Sequence, residues 1–413
     1  MRRTRLVVHA ALAVSLATGL LRAQPAPAAD RPIIVGTQTS LKSAILGEDR
    51  PLMVHLPPSY PTATTAVYPV VYLLDGDAHF AAVSAMVDFL ARNNRAPEMI
   101  VVAIPNTRDR THDLTPPADT APVRLAVNAR DTVTQRFPTA GGAAKLRQFI
   151  TDELAPWVQS KYRTAPYRIL IGHSFGGLFA IDALATTPRA FNAYVAISPS
   201  LWWDQGKYEK RMEGALARAS LGGVSLYMTT GETEGHDMID PARALAASLA
   251  ARTDGFRSWY RVMPTETHNS NPFRTEYDGL ERIFDGWAPP DSVSNAALLR
   301  GDVALLEAHR AALAKRFGFP VTVSPDEINQ LAYFHLQQQH VDVAVKLFRY
   351  NVQKTPDYAN GWDSLADGLE AAHDLPGAVR AEEKAVQLGE TQHDAALPTY
   401  REHLARLQKA APR

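Results

Sequence analysis

The sequence predicts an α/β protein in which a doubly wound, mostly parallel sheet is followed by a small all-α domain of helical repeats. Up to about residue 288, short and continuously apolar runs alternate with helical patterns. Strands with such runs are buried on both faces, as in parallel sheets covered by helices. Beyond that point the strand patterns stop and a self-similarity of 34 residues begins. A length of 413 residues also favours two domains over one.

The predicted strands and helices alternate regularly along the first part of the chain. The first strands lie within residues 36–57, and the others are predicted at 68–76, 98–106, 167–172, 193–200, 224–231 and 258–264. Helical patterns separate them at about 80–93, 141–161, 175–186, 207–219, 240–253 and 273–286. This alternation implies a parallel sheet with helices on both faces.

The N-terminus has the layout of a secretory signal peptide. A basic start, MRRTR, precedes the apolar run LVVHAALAVSLATGLL, and small residues with prolines follow. The run is short for a membrane-spanning helix, so we expect cleavage near Ala23, Ala28 or Ala29. Cleavage removes four arginines from a chain that has 43 basic and 43 acidic residues, which leaves it acidic. The Ala- and Arg-rich composition then indicates a bacterial protein, periplasmic or secreted, with no stable membrane insertion.

Helical repeats are predicted for the last third of the chain. Leu331 and Leu365, like Ala344 and Ala378, are pairs of similar residues separated by 34 positions, which is the tetratricopeptide period. Two such units are fewer than a free-standing array needs. We therefore expect capping helices at about 302–317 and 395–409.

A break in composition divides the sheet from the repeats. The segment APPDSVSN, residues 288–295, contains prolines and serines between two regions of different pattern. We predict a signal peptide over residues 1–29, a sheet domain over 30–288 and a tetratricopeptide-like domain over 289–413.

Composition excludes several classes of function. The chain has no cysteine, so disulfides, thiolate catalysis and thiolate metal sites are ruled out. The balance of charges gives no basic field of the kind that binds nucleic acid. No metal and no organic cofactor is expected for the chemistry below.

The stretch LIGHSFGGLFAIDAL has the pattern of a nucleophile elbow. Gly-x-Ser-x-Gly lies here between a predicted strand and a predicted helix, which is the context that the motif requires. Gly172 and Gly176 leave room for a tight turn that exposes the hydroxyl of Ser174. The backbone N–H of Phe175, at the start of the helix, is expected to face a developing oxyanion.

A serine hydroxyl needs a base, and an acid then orients that base. His268 lies on the loop after the last predicted strand, as the motif's chain order requires. The loop after VSLYMTTG offers Glu234, which we favour as the acid, with Glu232 and Asp237 as alternatives. A Ser–His dyad without an acid also stays open. His173, next to the serine, is expected to pack.

The loops after neighbouring strands supply further candidates. The N–H of Gly76 or Asp77, after YLLDG, is the expected second oxyanion donor. Trp202 and Trp203, in SPSLWWD, are expected either to form an aromatic wall for the substrate or to pack against the second domain.

Two arginines and several histidines are weaker candidates for the substrate pocket. Arg108 and Arg110 in NTRDRTHD follow a predicted strand and suit an anionic catecholate or carboxylate, although both also fit a charged surface loop. His79, His112 and His236 lie on loops that are expected to surround the same site.

Several blocks together resemble a known family. YLLDG, NTRDRTHDLTP, GGAAKLRQFITDELAPWVQSKY, GHSFGGLFAIDAL and AISPSLWWD, spread over residues 35–288, are similar to the Putative esterase family of α/β-hydrolases. SPSLWWD and DLTP resemble its enterochelin (siderophore) esterase branch. The resemblance implies an α/β-hydrolase fold with Ser174 and His268 in catalytic roles, and it leaves the acid open.

The leading expectation is a secreted serine hydrolase that cleaves small-molecule carboxylic esters through an acyl-enzyme. An acyltransferase on the same fold would share every step up to that intermediate. A third hypothesis is a protein that binds a peptide or protein partner through its repeats, with secondary hydrolase activity.

Overall fold

The protein is described by a computed structural model that covers residues 32–107, 109–118, 123–126 and 132–410. The predicted signal peptide, residues 1–29, and Arg108 lie outside the described residues. Residues Val35–Arg413 form one compact unit. No helix among the described residues combines the length and the apolarity needed to cross a membrane.

Among the described residues, eight strands form one sheet in the order β1-β2-β4-β3-β7-β8-β9-β10. The first two strands pair antiparallel, β2 pairs antiparallel with β4, and all later neighbours are parallel. These strands are β1 (Thr37–Ser43), β2 (Glu48–His55), β3 (Tyr68–Leu74), β4 (Ile100–Ile104), β7 (Thr164–His173), β8 (Ala193–Ile197), β9 (Ser225–Gly231) and β10 (Arg257–Met263), and a separate hairpin is made by β5 (Val123–Ala126) and β6 (Thr132–Gln135).

The predicted doubly wound, mostly parallel sheet is therefore confirmed. β3, β4, β8 and β9 are buried along their whole length, as their continuous apolar runs predict. Because β7, β9 and β10 run parallel, the loops that follow them emerge at the same edge of the sheet. Those loops carry the candidate serine, acid and histidine.

Helices cover both faces of the sheet. The helices up to residue 317 are α1 (Gly76–Arg92), α2 (Arg110–Leu114), α3 (Ala143–Gln148), a π-helical turn (Phe149–Leu154), α4 (Ala155–Lys161), α5 (Phe175–Thr186), a 3₁₀ turn (Trp203–Gly206), α6 (Lys207–Arg218), α7 (His236–Ala250), α8 (Asn271–Ile283), α9 (Asp291–Arg300) and α10 (Ala304–Phe317). One face of the sheet packs against α3, α4, α5, α6 and α7, and the other face packs against α1, α8 and α10.

The remaining helices show the predicted 34-residue period. They are α11 (Pro325–Gln337), α12 (Val341–Lys354), α13 (Ala359–Ala371), α14 (Leu375–Gln392) and α15 (Leu397–Ala410). α11 and α13 begin 34 residues apart, as do α12 and α14. Within each pair the equivalent alanines, such as Ala344 and Ala378, are fully buried in one shared core. The tetratricopeptide assignment and the domain boundary at residue 288 stay predictions.

An aromatic cluster joins α10 to the sheet. Phe317 packs against Tyr167 of β7 with ring centroids 5.4 Å apart, and against Trp287 at 5.9 Å. Phe284 and Phe319 complete the cluster, and all five rings are buried. Helix α10, which follows the break, is thus packed on the sheet.

Three local features differ from the sequence expectations. The segment 288–295 is not a plain break, because Pro290 precedes the start of α9 at Asp291. Proline directly before a helix is favourable, since the missing N–H has no role there. The hairpin β5–β6 and the one-turn helix α2 were not predicted, because four or five residues carry too little periodicity to be recognised.

Candidate active site

Ser174 lies on the tight turn between β7 and α5. Its backbone has φ 60° and ψ −112°, a conformation that is strained for a residue with a Cβ atom. Its N–H donates to the carbonyl of Ile197 on β8 at 2.9 Å, which fixes the turn against the sheet. A Cβ atom on Gly172 would lie 2.2 Å from the carbonyl oxygen of Gly176. The first glycine of the motif is therefore required because the two ends of the turn nearly touch.

We expect Gly172→Ala to destabilise the protein by about 3 kcal/mol or more, because the added methyl group meets backbone that cannot move aside. Gly214→Ala is the matched control. Gly214 lies within α6, and its Cβ would meet only the end of the Arg218 side chain at 3.6 Å, so this change should stabilise the helix slightly. Thermal unfolding measures both. Equal melting temperatures for the two variants would contradict this account of the turn.

His268 lies on the loop after β10 and reaches the serine. Its Nε2 lies 3.0 Å from Oγ of Ser174. His173 supports the loop, because its Nε2–H donates to the backbone carbonyl of His268 at 2.9 Å and the two rings lie 4.6 Å apart. Burial, reinforced by the neighbouring His268, lowers the pKa of His173 to about 3. His173 is therefore neutral at ordinary pH and orients the loop.

The carboxylate behind His268 belongs to Glu234. Its side chain is 2 % exposed, and Oε1 lies 3.7 Å from Nδ1 of His268. The same oxygen accepts from the N–H of Gly231 at 3.0 Å and from the hydroxyl of Ser198 at 2.5 Å, while Oε2 has no hydrogen-bond partner among the described residues. Glu232 points elsewhere, since its Oε2 accepts from the N–H of Thr265 at 2.8 Å. It braces the turn after β10.

The expected oxyanion donors lie at two helix N-termini. Phe175 is the first residue of α5, and Gly76 and Asp77 are the first residues of α1. Such N–H groups have no acceptor within their own helix. The glycine at position 76 also has a packing role. A Cβ atom there would lie 2.9 Å from Ala103 on β4, so Gly76 lets the start of α1 pack on the sheet.

A pocket of about 290 Å³ opens above the serine. Its lining is mainly polar and consists of Asp75, Ala78, His79, Asn106, Arg110, His173, Ser174, His268 and Asn269. Of the predicted substrate residues, Arg110 therefore lines the pocket. Trp202 and Trp203 are not among its lining residues.

Arg110 is held by a buried carboxylate. Its Nε and Nη2 contact the two oxygens of Asp75 at 2.5 and 2.9 Å, and Nη2 also donates to the carbonyl of His173. Burial opposes ionisation of Asp75, but Arg110 and the amide of Asn106 outweigh it and the pKa of Asp75 is lowered. The Arg110 side chain is still about one-third exposed. The pocket thus contains a rigid cation that can meet an anionic group.

A second pair with a buried carboxylate reaches the pocket through His79. Nδ1 of His79 lies 2.8 Å from Oε1 of Glu276, whose side chain is almost fully buried. Burial lowers the basicity of His79, but Glu276 outweighs it, so the pKa of His79 is raised. His112 and His236 do not line the pocket. His112 bonds the carbonyl of Thr139, and His236 is largely exposed.

The two tryptophans pack beneath the elbow. Trp203 is fully buried, and its Nε1–H donates to the carbonyl of Pro116 at 3.1 Å. Trp202 is partly buried, and its Nε1 contacts Sδ of Met238. Both rings pack against Phe137 and Phe175. Trp203 is thus a buried residue that packs against the ring of Phe175, and it does not form an exposed wall for the substrate. Neither tryptophan ring packs on the helical repeats.

This strand order, with a nucleophile elbow and a histidine at one edge of the sheet, defines a serine hydrolase with the α/β-hydrolase fold, and the chain is a hydrolase of ester bonds. It belongs to the family described as Putative esterase, whose model matches residues 43–276. The resemblance noted from the sequence blocks is thereby confirmed at the level of the family.

Named relatives include siderophore esterases. The chain is 29% identical over 253 residues to the ferri-bacillibactin esterase BesA of Bacillus subtilis, which covers 57% of this chain and 86% of the relative. It is 35% identical over 147 residues to the siderophore triacetylfusarinine C esterase of Aspergillus fumigatus, covering 33% of this chain and 45% of that protein. With the fungal enzyme, the match thus spans less than half of the relative's length.

Solved structures extend the likeness towards the helical region. An IroE-like serine hydrolase from Shewanella oneidensis is 29% identical, with a TM-score of 0.64 over 77% of this chain and 99% of that one. A protein from Capnocytophaga ochracea, 17% identical, shares the fold with a TM-score of 0.56 over 90% of this chain and 99% of its own. Both structures cover more of this chain than residues 43–276, the segment that the family model matches.

Proposed function

We propose that the protein hydrolyses carboxylic esters through an acyl-enzyme on Ser174. The 3.0 Å contact between Oγ of Ser174 and Nε2 of His268, with the Glu234 carboxylate behind the imidazole, carries this proposal. His268 takes the hydroxyl proton while Oγ bonds to the ester carbonyl carbon. The imidazolium then gives that proton to the departing alkoxide oxygen, which leaves as an alcohol.

Water completes the cycle by the same groups in reverse. His268 removes a proton from water, the hydroxide adds to the acyl carbon, and Oγ of Ser174 leaves with the proton from the imidazolium. Glu234 keeps Nδ1 protonated and stabilises the positive ring in both halves. The N–H groups of Phe175 and of Gly76 or Asp77 are proposed to hold the carbonyl oxygen as it becomes negative.

We further propose that the natural substrate is an ester of an anionic catecholate siderophore. Two observations support this class. The related enzymes named above are siderophore esterases, and the pocket presents the exposed part of Arg110, fixed by Asp75, next to the serine. Arg108 lies outside the described residues, and its role as a second cation stays a prediction.

A hydrolysis screen of the purified chain without residues 1–29 tests the proposal. It should compare short acyl aryl esters, feruloyl esters, and catecholate trilactones with and without bound iron. We expect the trilactones to have the highest kcat/KM, and Arg110→Gln to raise KM for them while changing aryl acetates little. If aryl esters are cleaved and no siderophore is, the substrate class is wrong while the hydrolase mechanism stands. No activity on any ester would contradict both.

We propose that the chain is exported and that residues 289–413 form a tetratricopeptide-like domain. The basic, apolar and small-residue layout of residues 1–29 supports export. The 34-residue spacing of helix starts between α11 and α13, and between α12 and α14, supports the repeat assignment. Expression in a bacterial host checks export, because the periplasmic protein should have lost the mass of the leader.

A further inference from the structure

The meeting point of α13, α14 and α15 gathers one histidine and four carboxylates. His403 comes from α15 and Glu382 from α14, while Asp363, Asp367 and Glu370 lie on one face of α13. None of these residues lines the pocket at the serine. An accumulation of like charges in a largely buried place needs a counter-charge.

The inner part of this cluster consists of Asp363, Glu382 and Nδ1 of His403. Nδ1 lies 2.9 Å from Oδ1 of Asp363 and 3.1 Å from Oε2 of Glu382. The Glu382 side chain is fully buried, and neither of its oxygens has a partner of hydrogen-bond geometry among the described residues. A buried carboxylate without donors is costly unless a cation neutralises it. The cation at Glu382 is therefore either the protonated imidazole of His403, 3.1 Å away, or a bound metal ion.

The outer part of the cluster faces the second nitrogen of the imidazole without hydrogen-bonding it. Nε2 of His403 lies 3.5 Å from Oδ1 of Asp367 and 3.8 Å from Oε2 of Glu370. These two carboxylates are themselves held, Asp367 by the hydroxyl of Tyr333 at 2.7 Å and Glu370 by both terminal nitrogens of Arg406. A histidine whose second nitrogen faces a supported carboxylate is the arrangement found behind metal-bound imidazoles.

We propose that Asp363, Glu382 and Nδ1 of His403 bind one divalent transition-metal ion of the Zn²⁺ type. Bonds of about 2.1 Å in tetrahedral geometry put ligand atoms about 3.4 Å apart, so Nδ1 of His403 needs to move only a few tenths of an ångström away from each of the two carboxylate oxygens. Two carboxylates and a neutral imidazole balance the charge of the ion. One nitrogen and two oxygens suit Zn²⁺ or Mn²⁺ better than the all-oxygen preference of Ca²⁺.

The site joins three helices. Its ligands come one each from α13, α14 and α15. The competing occupant is a proton, because the neighbouring carboxylates of Asp363 and Glu382 raise the pKa of His403 to about 10. An imidazolium held between carboxylates is then the alternative to a metal, and the experiment must separate the two.

Titration of the full chain, stripped with a chelator and free of any histidine tag, separates them. Calorimetry with Zn²⁺ should show one ion bound per chain, and Co²⁺ should give visible absorption bands of a low-symmetry nitrogen–oxygen site. Glu382→Gln and Asp363→Asn should each weaken binding at least about 100-fold, and Asp367→Asn about 10- to 100-fold. Glu390→Gln, an exposed change on the same helix, should bind as the wild type does.

The outcomes decide between metal and proton. If the wild-type chain binds no Zn²⁺, Mn²⁺ or Co²⁺ above the level of a denatured sample, or if Glu382→Gln and Asp363→Asn bind as tightly as the wild type, the proposal is wrong. Circular dichroism checks that each variant is folded. If Glu382→Gln does not fold, metal binding by Asp363→Asn is compared with the wild type instead, because the Asp363 side chain is only partly buried.

Discussion

Ser174→Ala is expected to lower kcat/KM for an aryl ester by up to about 10⁶-fold. The nucleophile and its base act as one unit, so the loss of either removes nearly all of their joint contribution to catalysis. The only atom lost is the Oγ that lies 3.0 Å from Nε2 of His268. The strained turn is made by the backbone and by Gly172 and Gly176, so alanine should leave the melting temperature almost unchanged.

Ser200→Ala is the matched control for this change. Its hydroxyl lies 3.5 Å from Oγ of Ser174 and is buried at the same edge of the sheet. The control removes an equivalent atom from the same neighbourhood, and only a small change in kcat/KM is expected. Active-site titration excludes contamination by wild-type enzyme. Substantial remaining activity in a folded Ser174→Ala protein would contradict the serine mechanism.

Glu234→Gln is expected to lower kcat by about 10²- to 10⁴-fold. The amide oxygen can still accept from the N–H of Gly231 and from Ser198, so the loop should keep its shape. The amide has lost the charge that favours a proton on Nδ1 of His268 and stabilises the imidazolium. The 3.7 Å separation is longer than a hydrogen bond, and such contacts commonly tighten when substrate binds.

Glu232→Gln makes the same chemical change two residues away. Glu232 is exposed, and its carboxylate bonds the N–H of Thr265, an interaction that the amide oxygen can also make. We expect little effect on kcat. The measurement is steady-state hydrolysis of one aryl ester by both variants, with thermal unfolding alongside. Small and equal effects would indicate a Ser174–His268 dyad, and a large loss from Glu232→Gln alone would assign the acid to that position.

The sheet and the elbow could be predicted because their signals are local. Continuous apolar runs mark β3, β4, β8 and β9, and the predicted bounds of α5, residues 175–186, are those in the structure. The position of His268 followed from chain order, since the loop after the last strand must return to the edge that holds the serine. The structure places Nε2 of His268 at Oγ of Ser174.

Other parts of the site depend on contacts between distant residues. Asp75 pairs with Arg110, 35 positions away, and His79 with Glu276 on α8. No period or motif in one sequence records such pairs. The same holds for Trp203, whose burial depends on Phe137 and Phe175 closing over it. An aromatic pair after a strand predicts packing, and only the three-dimensional arrangement shows which face it lines.

The aromatic cluster around Tyr167 has a consequence for the order in which the chain is made. Synthesis proceeds from the N-terminus, and Phe317 and Phe319 are added after every strand of the sheet and after the loop that carries His268. A nascent or truncated chain that stops at residue 288 would leave Tyr167, Phe284 and Trp287 without the two rings that cover them. A fragment designed for expression should therefore extend past Phe319.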